Sequence, residues 1–158
     1  MLKPPQHRID APIILIHETD DAWDHDRIIR EAKENPSHVV RQYWRGDTRF
    51  DLTAEVQQYL KPGATPTRFI LRRISWEDYQ RCVQKVEANE WRAAFGHACL
   101  QGLVKIENGP INIEGASATW FDLQKLHEAS TAECDLVRDV GFAVYKASAP
   151  LNAAEKKV

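Results

Sequence analysis

Apolar residues recur at two periods along this chain, and the stretches that share a period predict its elements. The longest such stretch runs from Pro66 to Asn108, PTRFILRRISWEDYQRCVQKVEANEWRAAFGHACLQGLVKIEN. Phe69-Ile70-Leu71, flanked by Arg68, Arg72 and Arg73, reads as a strand. Trp76, Tyr79, Cys82, Val83 and Val86 then fall three and four apart, the spacing of an amphipathic helix. Ser75 is placed to cap it, with Asp78 as the return partner of a capping-box variant. Asn89 is the expected cap of the next helix, where Trp91, Phe95, Ala98 and Gly102 form a stripe beside Ala94, Cys99 and Leu103. Small residues at Ala94, Gly96, Ala98 and Gly102 predict close approach of another helix. Val104-Lys105-Ile106 returns to strand character.

The flanking segments follow the same logic. Met1 to Asp10, with Pro4 and Pro5, reads as an extended arm. Pro12 to Ile16 is an apolar run without alternation, predicting a strand buried on both faces or pressed against a partner at one edge. Thr19, Asp20 or Asp21 is expected to cap a helix reading AWDHDRIIREAKE, whose inward face takes Ala22 or Trp23, Ile28 or Ile29, and Ala32. Asn35-Pro36-Ser37 ends it. Tyr43, Trp44 and Phe50 are expected to gather under a turn at Gly46-Asp47. Asp51 to Leu60 carries helical spacing behind Asp51 or Thr53, and the run 61–66 is the strongest punctuation in the chain. Ile106 to Ile113 suggests two short strands about Asn108-Gly109-Pro110. A helix is expected from about Trp120. Ser130 or Thr131 opens a last one, with Ala132, Leu136, Val137, Val140, Val144 and Tyr145 on one face and Gly141 within that face. Together these predict an α+β, predominantly helical fold. It has about five helices and a small sheet from short strands near 12–16, 68–74 and 104–113. The organisation is an arm at 1–10, a single compact domain at 11–150 with a candidate lobe boundary at 61–66, and a polar tail at 151–158.

Composition narrows the function classes. The chain has 158 residues, 43% hydrophobic and 28% charged, with a net charge of −2, which supplies no basic field for nucleic acid. Arg41, Arg45 and Arg49 interleave with Tyr43, Trp44 and Phe50, a weak pattern for single-strand binding by stacking and charge. The N-terminal MLKPPQHRID has no apolar core of a signal peptide, and no apolar run is long enough to cross a membrane. Cys82, Cys99 and Cys134 are odd in number and widely spaced, so free, buried thiols in a reducing cytoplasm are expected.

The segment HETDDAWDHD holds two histidines and five carboxylates within ten residues, and a metal-dependent enzyme could be drawn around His17, Asp20, Asp24 and His25. The spacing lacks HExxH and an EF-hand glycine, and helix capping explains the same residues. Glycine-rich phosphate loops and nucleophile elbows are also missing. Cys99 with His97, and Cys134 with His127, are spaced so that sulfur and imidazole do not meet. The expectation is a non-enzyme, with no catalytic residues, no cofactor and no metal.

Five tryptophans in a chain of this size point toward contact. Trp76 and Trp91 are expected to fill the core, and Trp23, Tyr43, Trp44 and Trp120 to bind a partner. The segments PTRFILRRIS, EDY, LQGLVKIEN and LVRDVGFAVYKASAPLNAAEKK, in that order, resemble small proteins encoded in the structural modules of tailed bacteriophages. The likeness lies at Phe69 to Ser75, Gly102 to Asn108 and Arg138 to Lys156, roughly the C-terminal 90 residues. Arg138-Asp139-Val140-Gly141 departs from the family's more usual acidic-Ile-Gly. The resemblance implies a mostly helical tail assembly chaperone in the host cytoplasm that binds tape measure or tail tube subunits and carries no catalytic residues. The alternative it leaves is a protein retained in the virion, as a capsid cement, minor capsid or head–tail connector component bound to capsid subunits.

Overall fold

Short polar side chains at helix starts set many of the boundaries in the computed structural model, which describes residues 12–132 and 134–149. Among them lie seven helices and three strands: β1 (Ile13–Leu15), α1 (His25–Glu34), α2 (Val39–Arg45), α3 (Ala54–Gln57), β2 (Arg68–Leu71), α4 (Trp76–Glu87), α5 (Trp91–Gly102), β3 (Leu103–Glu107), α6 (Trp120–Glu128) and α7 (Leu136–Ser148). The fold is α+β and predominantly helical, as the periodicities predict. The arm at 1–10 and the tail at 151–158 lie outside the described residues.

Thr53, Ser75 and Thr119 each accept a backbone N–H in the first turn of α3, α4 and α6, and Thr119 completes a capping box with Asp122. Other starts differ from expectation. The first helix begins only at His25, because Asp24 caps it, accepting from the Arg27 N–H. Asp20 is committed elsewhere: its carboxylate accepts from the Ala22 N–H and from the Thr67 N–H at 2.9 Å, tying this loop to the entry of β2. Glu90, not Asn89, occupies the cap position of α5; Asn89 instead takes φ 64° and accepts from the Trp91 indole N–H. Asp135 caps α7, which therefore starts later than Ser130 or Thr131. The Ser130 hydroxyl accepts from the Leu136 N–H. The turn expected near Gly46 is preceded by a full helix, α2, with Gly46 at φ 74° closing it by bonds from Gly46 N–H and Asp47 N–H to Tyr43 and Gln42 carbonyls. The second strand expected before Ile113 does not form. Asn108 turns at φ 55°, and Pro110 has no N–H to give a ladder.

The sheet is antiparallel in the order β1-β2-β3, with Ile14 opposite Ile70 and Phe69 opposite Ile106. A register shift near Leu71 marks a bulge. Ile13, Leu15, Phe69 and Leu71 are buried and alternate with more exposed residues along β1 and β2, and Leu103 and Ile106 are buried on β3, so one face is covered. Of the two expectations for β1, burial on both faces gives way to one-sided burial, and the edge is the one taken up. That edge is closed by a side chain: the Tyr43 hydroxyl donates to the Ile14 carbonyl at 2.7 Å and accepts from the Ile16 N–H at 2.9 Å. One phenol thus satisfies two backbone groups that an edge strand would leave open.

Helices α5 and α7 pack against each other and join the same buried cluster. Their approach depends on glycine. A Cβ built at Gly141 would stand 2.0 Å from the Phe95 carbonyl oxygen, and one at Gly102 would stand 2.4 Å from Val144 Cγ1. Both positions behave as the small-residue pattern predicts, whereas Gly96 has open space around it. Side chains from both sides of the 61–66 segment, including Trp23, Val56 and Phe69, share that cluster.

Candidate functional site

Six aromatic side chains run across α4, α5 and α7. Trp76 stacks on Tyr79 with centroids 5.7 Å apart, and Tyr79 stacks on Tyr145 at 5.2 Å. Tyr145 meets Phe95 at 5.7 Å, and Phe95 touches both Trp91 and Phe142 at 5.6 Å. The contact of Gly141 with the Phe95 backbone sets that ring between Phe142 and Tyr145, which are one turn apart on α7. Phe95 is buried, and burial pushes the Tyr145 phenol up to about 12. The ends of the chain of rings face outward: Trp76 is 60% exposed, Trp91 46% and Phe142 38%. A large apolar side chain left wholly in water forgoes about 1.5–3 kcal/mol of burial, these partly covered rings forgo a fraction of that, and aromatic anchors of this kind are what interfaces use. A second pair, Trp120 at 66% and Phe121 at 63%, opens α6.

The residues expected to bind a partner divide sharply. Trp23 and Tyr43 have no exposed surface. Trp23 donates its indole N–H to the His17 carbonyl and packs on Tyr43 and Trp44, and Tyr43 is the edge cap of β1. Both are core residues, a correction to the expected contact role. Trp44 is half-buried against them, its indole nitrogen enclosed, while Trp120 is exposed as a contact residue must be. Trp76 and Trp91 reverse in the opposite sense, lying outside rather than in the core. Burial of Tyr43 and Phe50 also removes the stacking platform that Arg41, Arg45 and Arg49 would need to hold nucleic acid.

The acidic segment is likewise rearranged. His25 bonds the Asp20 carbonyl at 3.1 Å, Asp24 caps α1, and neither joins His17. His17 instead meets residues more than a hundred positions away. Its Nε2 lies 2.7 Å from Asp139 Oδ2, its Nδ1 2.8 Å from Thr19 Oγ1, and Cys134 Sγ stands 3.8 and 3.9 Å from the two nitrogens. His17, Thr19, Trp44, Phe50, Arg138 and Asp139 help line an adjoining cleft of about 250 Å³. Burial opposes ionisation of Asp139, but hydrogen bonds from His17 and Arg138 outweigh it and hold the carboxyl below its ordinary value. Burial raises the Cys134 thiol, against the pull of the Thr19 hydroxyl. The sulfur is equidistant from two nitrogens that each have another partner, and its thiol is pushed toward the neutral form. That is the reverse of an activated nucleophile. Nothing in the local spacing of His17, Cys134 or Asp139 signals this meeting; the tertiary fold creates it.

Compared with known protein families, curated protein sequences and solved structures, the chain matches none of them.

Proposed function

We propose that the chain is a non-enzymatic assembly protein of tailed bacteriophages, acting by protein–protein contact as a tail assembly chaperone in the host cytoplasm. The observation that carries this reading is the aromatic face of α4, α5 and α7, with Trp76, Trp91 and Phe142 turned to solvent. A folded chain that leaves three such rings outside gains by covering them. Their row across three rigid helices suits the apolar face of a partner helix, the groove mode of recognition. The resemblance of Phe69 to Ser75 and Gly102 to Asn108 to phage structural-module proteins supplies the partner class: a tape measure or tail tube subunit. No group is assigned a catalytic role. Two measurements test the reading. Co-expressed with the tape measure protein of the same genome, the chain is expected to co-purify with it. Peptide mass spectrometry of mature particles is expected to find the chain absent. Stoichiometric recovery from particles would overturn the chaperone role and favour a retained virion component.

A further inference from the structure

We infer that Cys134, His17 and Asp139 form a zinc site that ties the end of β1 to the start of α7. A thiol, an imidazole nitrogen and a carboxylate oxygen from two segments, the end of β1 and the start of α7, all lie within 4.8 Å of one another, and all three residues are partly buried. One soft, one borderline and one hard donor is a set that Zn²⁺ accepts. The sulfur–nitrogen separation is close to the one that a tetrahedral ion imposes. Zinc–nitrogen and zinc–sulfur bonds of about 2.0 and 2.3 Å put the two ligand atoms about 3.5 Å apart. Cys134 Sγ and His17 Nε2 are 3.8 Å apart. His17 Nε2 and Asp139 Oδ2, at 2.7 Å, are held together by a shared proton and open to about 3.3 Å when the ion replaces it. His17 Nδ1 lies 2.8 Å from Thr19 Oγ1. With the metal on Nε2, Nδ1 takes up the ring proton and donates it to that hydroxyl, the outer-shell bond that fixes ring orientation at metal sites, giving up the bond it accepts from the Thr19 N–H at 3.2 Å. The adjoining cleft leaves the fourth position to water.

Binding involves no redox change. Zinc accepts lone pairs from sulfur, nitrogen and oxygen. It releases one proton, from the Cys134 thiol, while the proton between His17 and Asp139 passes to His17 Nδ1. Affinity therefore rises with pH. Three protein ligands and a water leave the ion an open position; the site cross-links segments more than a hundred residues apart in the chain, and its cleft is lined in part by Phe142 of the aromatic face.

Cobalt titration of the full chain tests this. One equivalent of Co²⁺ is expected to give a thiolate-to-metal charge-transfer band and four-coordinate visible absorption, both erased by Zn²⁺. Both are also lost in Cys134→Ala and in His17→Gln, with far-ultraviolet circular dichroism checking the fold of each variant. Absence of the charge-transfer band, or its persistence in a folded Cys134→Ala, overturns the site. The wild-type chain supplies an independent readout that no folding defect can confuse. Stoichiometric Zn²⁺ is expected to slow alkylation of Cys134, located by peptide mass mapping, at least tenfold. An unchanged rate overturns the inference.

Discussion

Replacing Gly141 with alanine adds one methyl group at the place where α5 and α7 touch. That methyl carbon would stand 2.0 Å from the Phe95 carbonyl oxygen, 2.6 Å from its carbonyl carbon and 2.9 Å from its Cα. All three neighbours are backbone, so no rotamer change relieves the clash. Ordinary contact begins at 3.4 Å, so the two helix axes must part by up to about 1.4 Å. Overpacking a core costs about 1–3 kcal/mol, and an unyielding backbone places this case at the upper end. Alanine returns about 1 kcal/mol through its better helix propensity. The net expectation is a loss of about 2 kcal/mol, or a melting temperature lower by about 4–8 °C for a chain of this size. Gly96→Ala is the matched control. It lies on α5 with nothing within 4 Å of the added carbon, so only the propensity gain applies, about 1 kcal/mol of stabilisation. Urea unfolding followed by tryptophan fluorescence measures both variants. A Gly141→Ala chain as stable as wild type, or a Gly96→Ala chain destabilised as much, would refute the helix-contact reasoning.

Three further outcomes are expected. Tyr43→Phe removes the hydroxyl that serves both Ile14 and Ile16, leaving a buried N–H and C=O unsatisfied at a cost of about 2–4 kcal/mol, read by denaturant midpoint. Trp23→Ala, at a site with no exposure, is expected to cost about 3–5 kcal/mol, whereas Trp76→Ala should stay within about 1 kcal/mol of wild type; similar losses for the two would contradict the assignment of core and surface. Burial opposes ionisation of Asp78, but hydrogen bonds from His97 and Ser75 prevail and lower its carboxyl from 3.8. A carboxyl depressed in the folded state stabilises above its unfolded pKa and loses that contribution as pH falls through the folded value. Asp78→Asn should therefore flatten the decline in stability below about pH 4, measured by thermal unfolding across pH.

Much of the fold is legible because it rests on local rules. Thr53, Ser75 and Thr119 cap the helices that follow them, and Phe69 to Leu71 forms its strand because flanking charge and apolar content leave little else. Gly141 is legible too, since a glycine inside an apolar helical face signals a close neighbour. The tryptophans are only partly legible. Trp23, expected both on the inward face of the first helix and at a contact surface, is buried as the first of these has it. It lies in the loop before α1, however, and packs on Tyr43 and Trp44 of α2, a helix that no periodicity signals ahead of the turn at Gly46. Trp76 and Trp91 open their helices, where the first residue need not share the inward stripe of the later turns. The His17–Cys134–Asp139 meeting depends on the docking of α7, and the acidic residues around His17 direct attention to the wrong neighbours.

The contact account is tested most directly by the affinity of purified chain for the tape measure protein, measured by calorimetry with wild type and with the triple variant Trp76→Ala, Trp91→Ala, Phe142→Ala. A saturable complex with wild type is expected, weakened at least a hundredfold in a triple variant that remains folded, which matches about 3 kcal/mol spread over three aromatic anchors. Equal affinity of the two chains, or no complex with either, would contradict it.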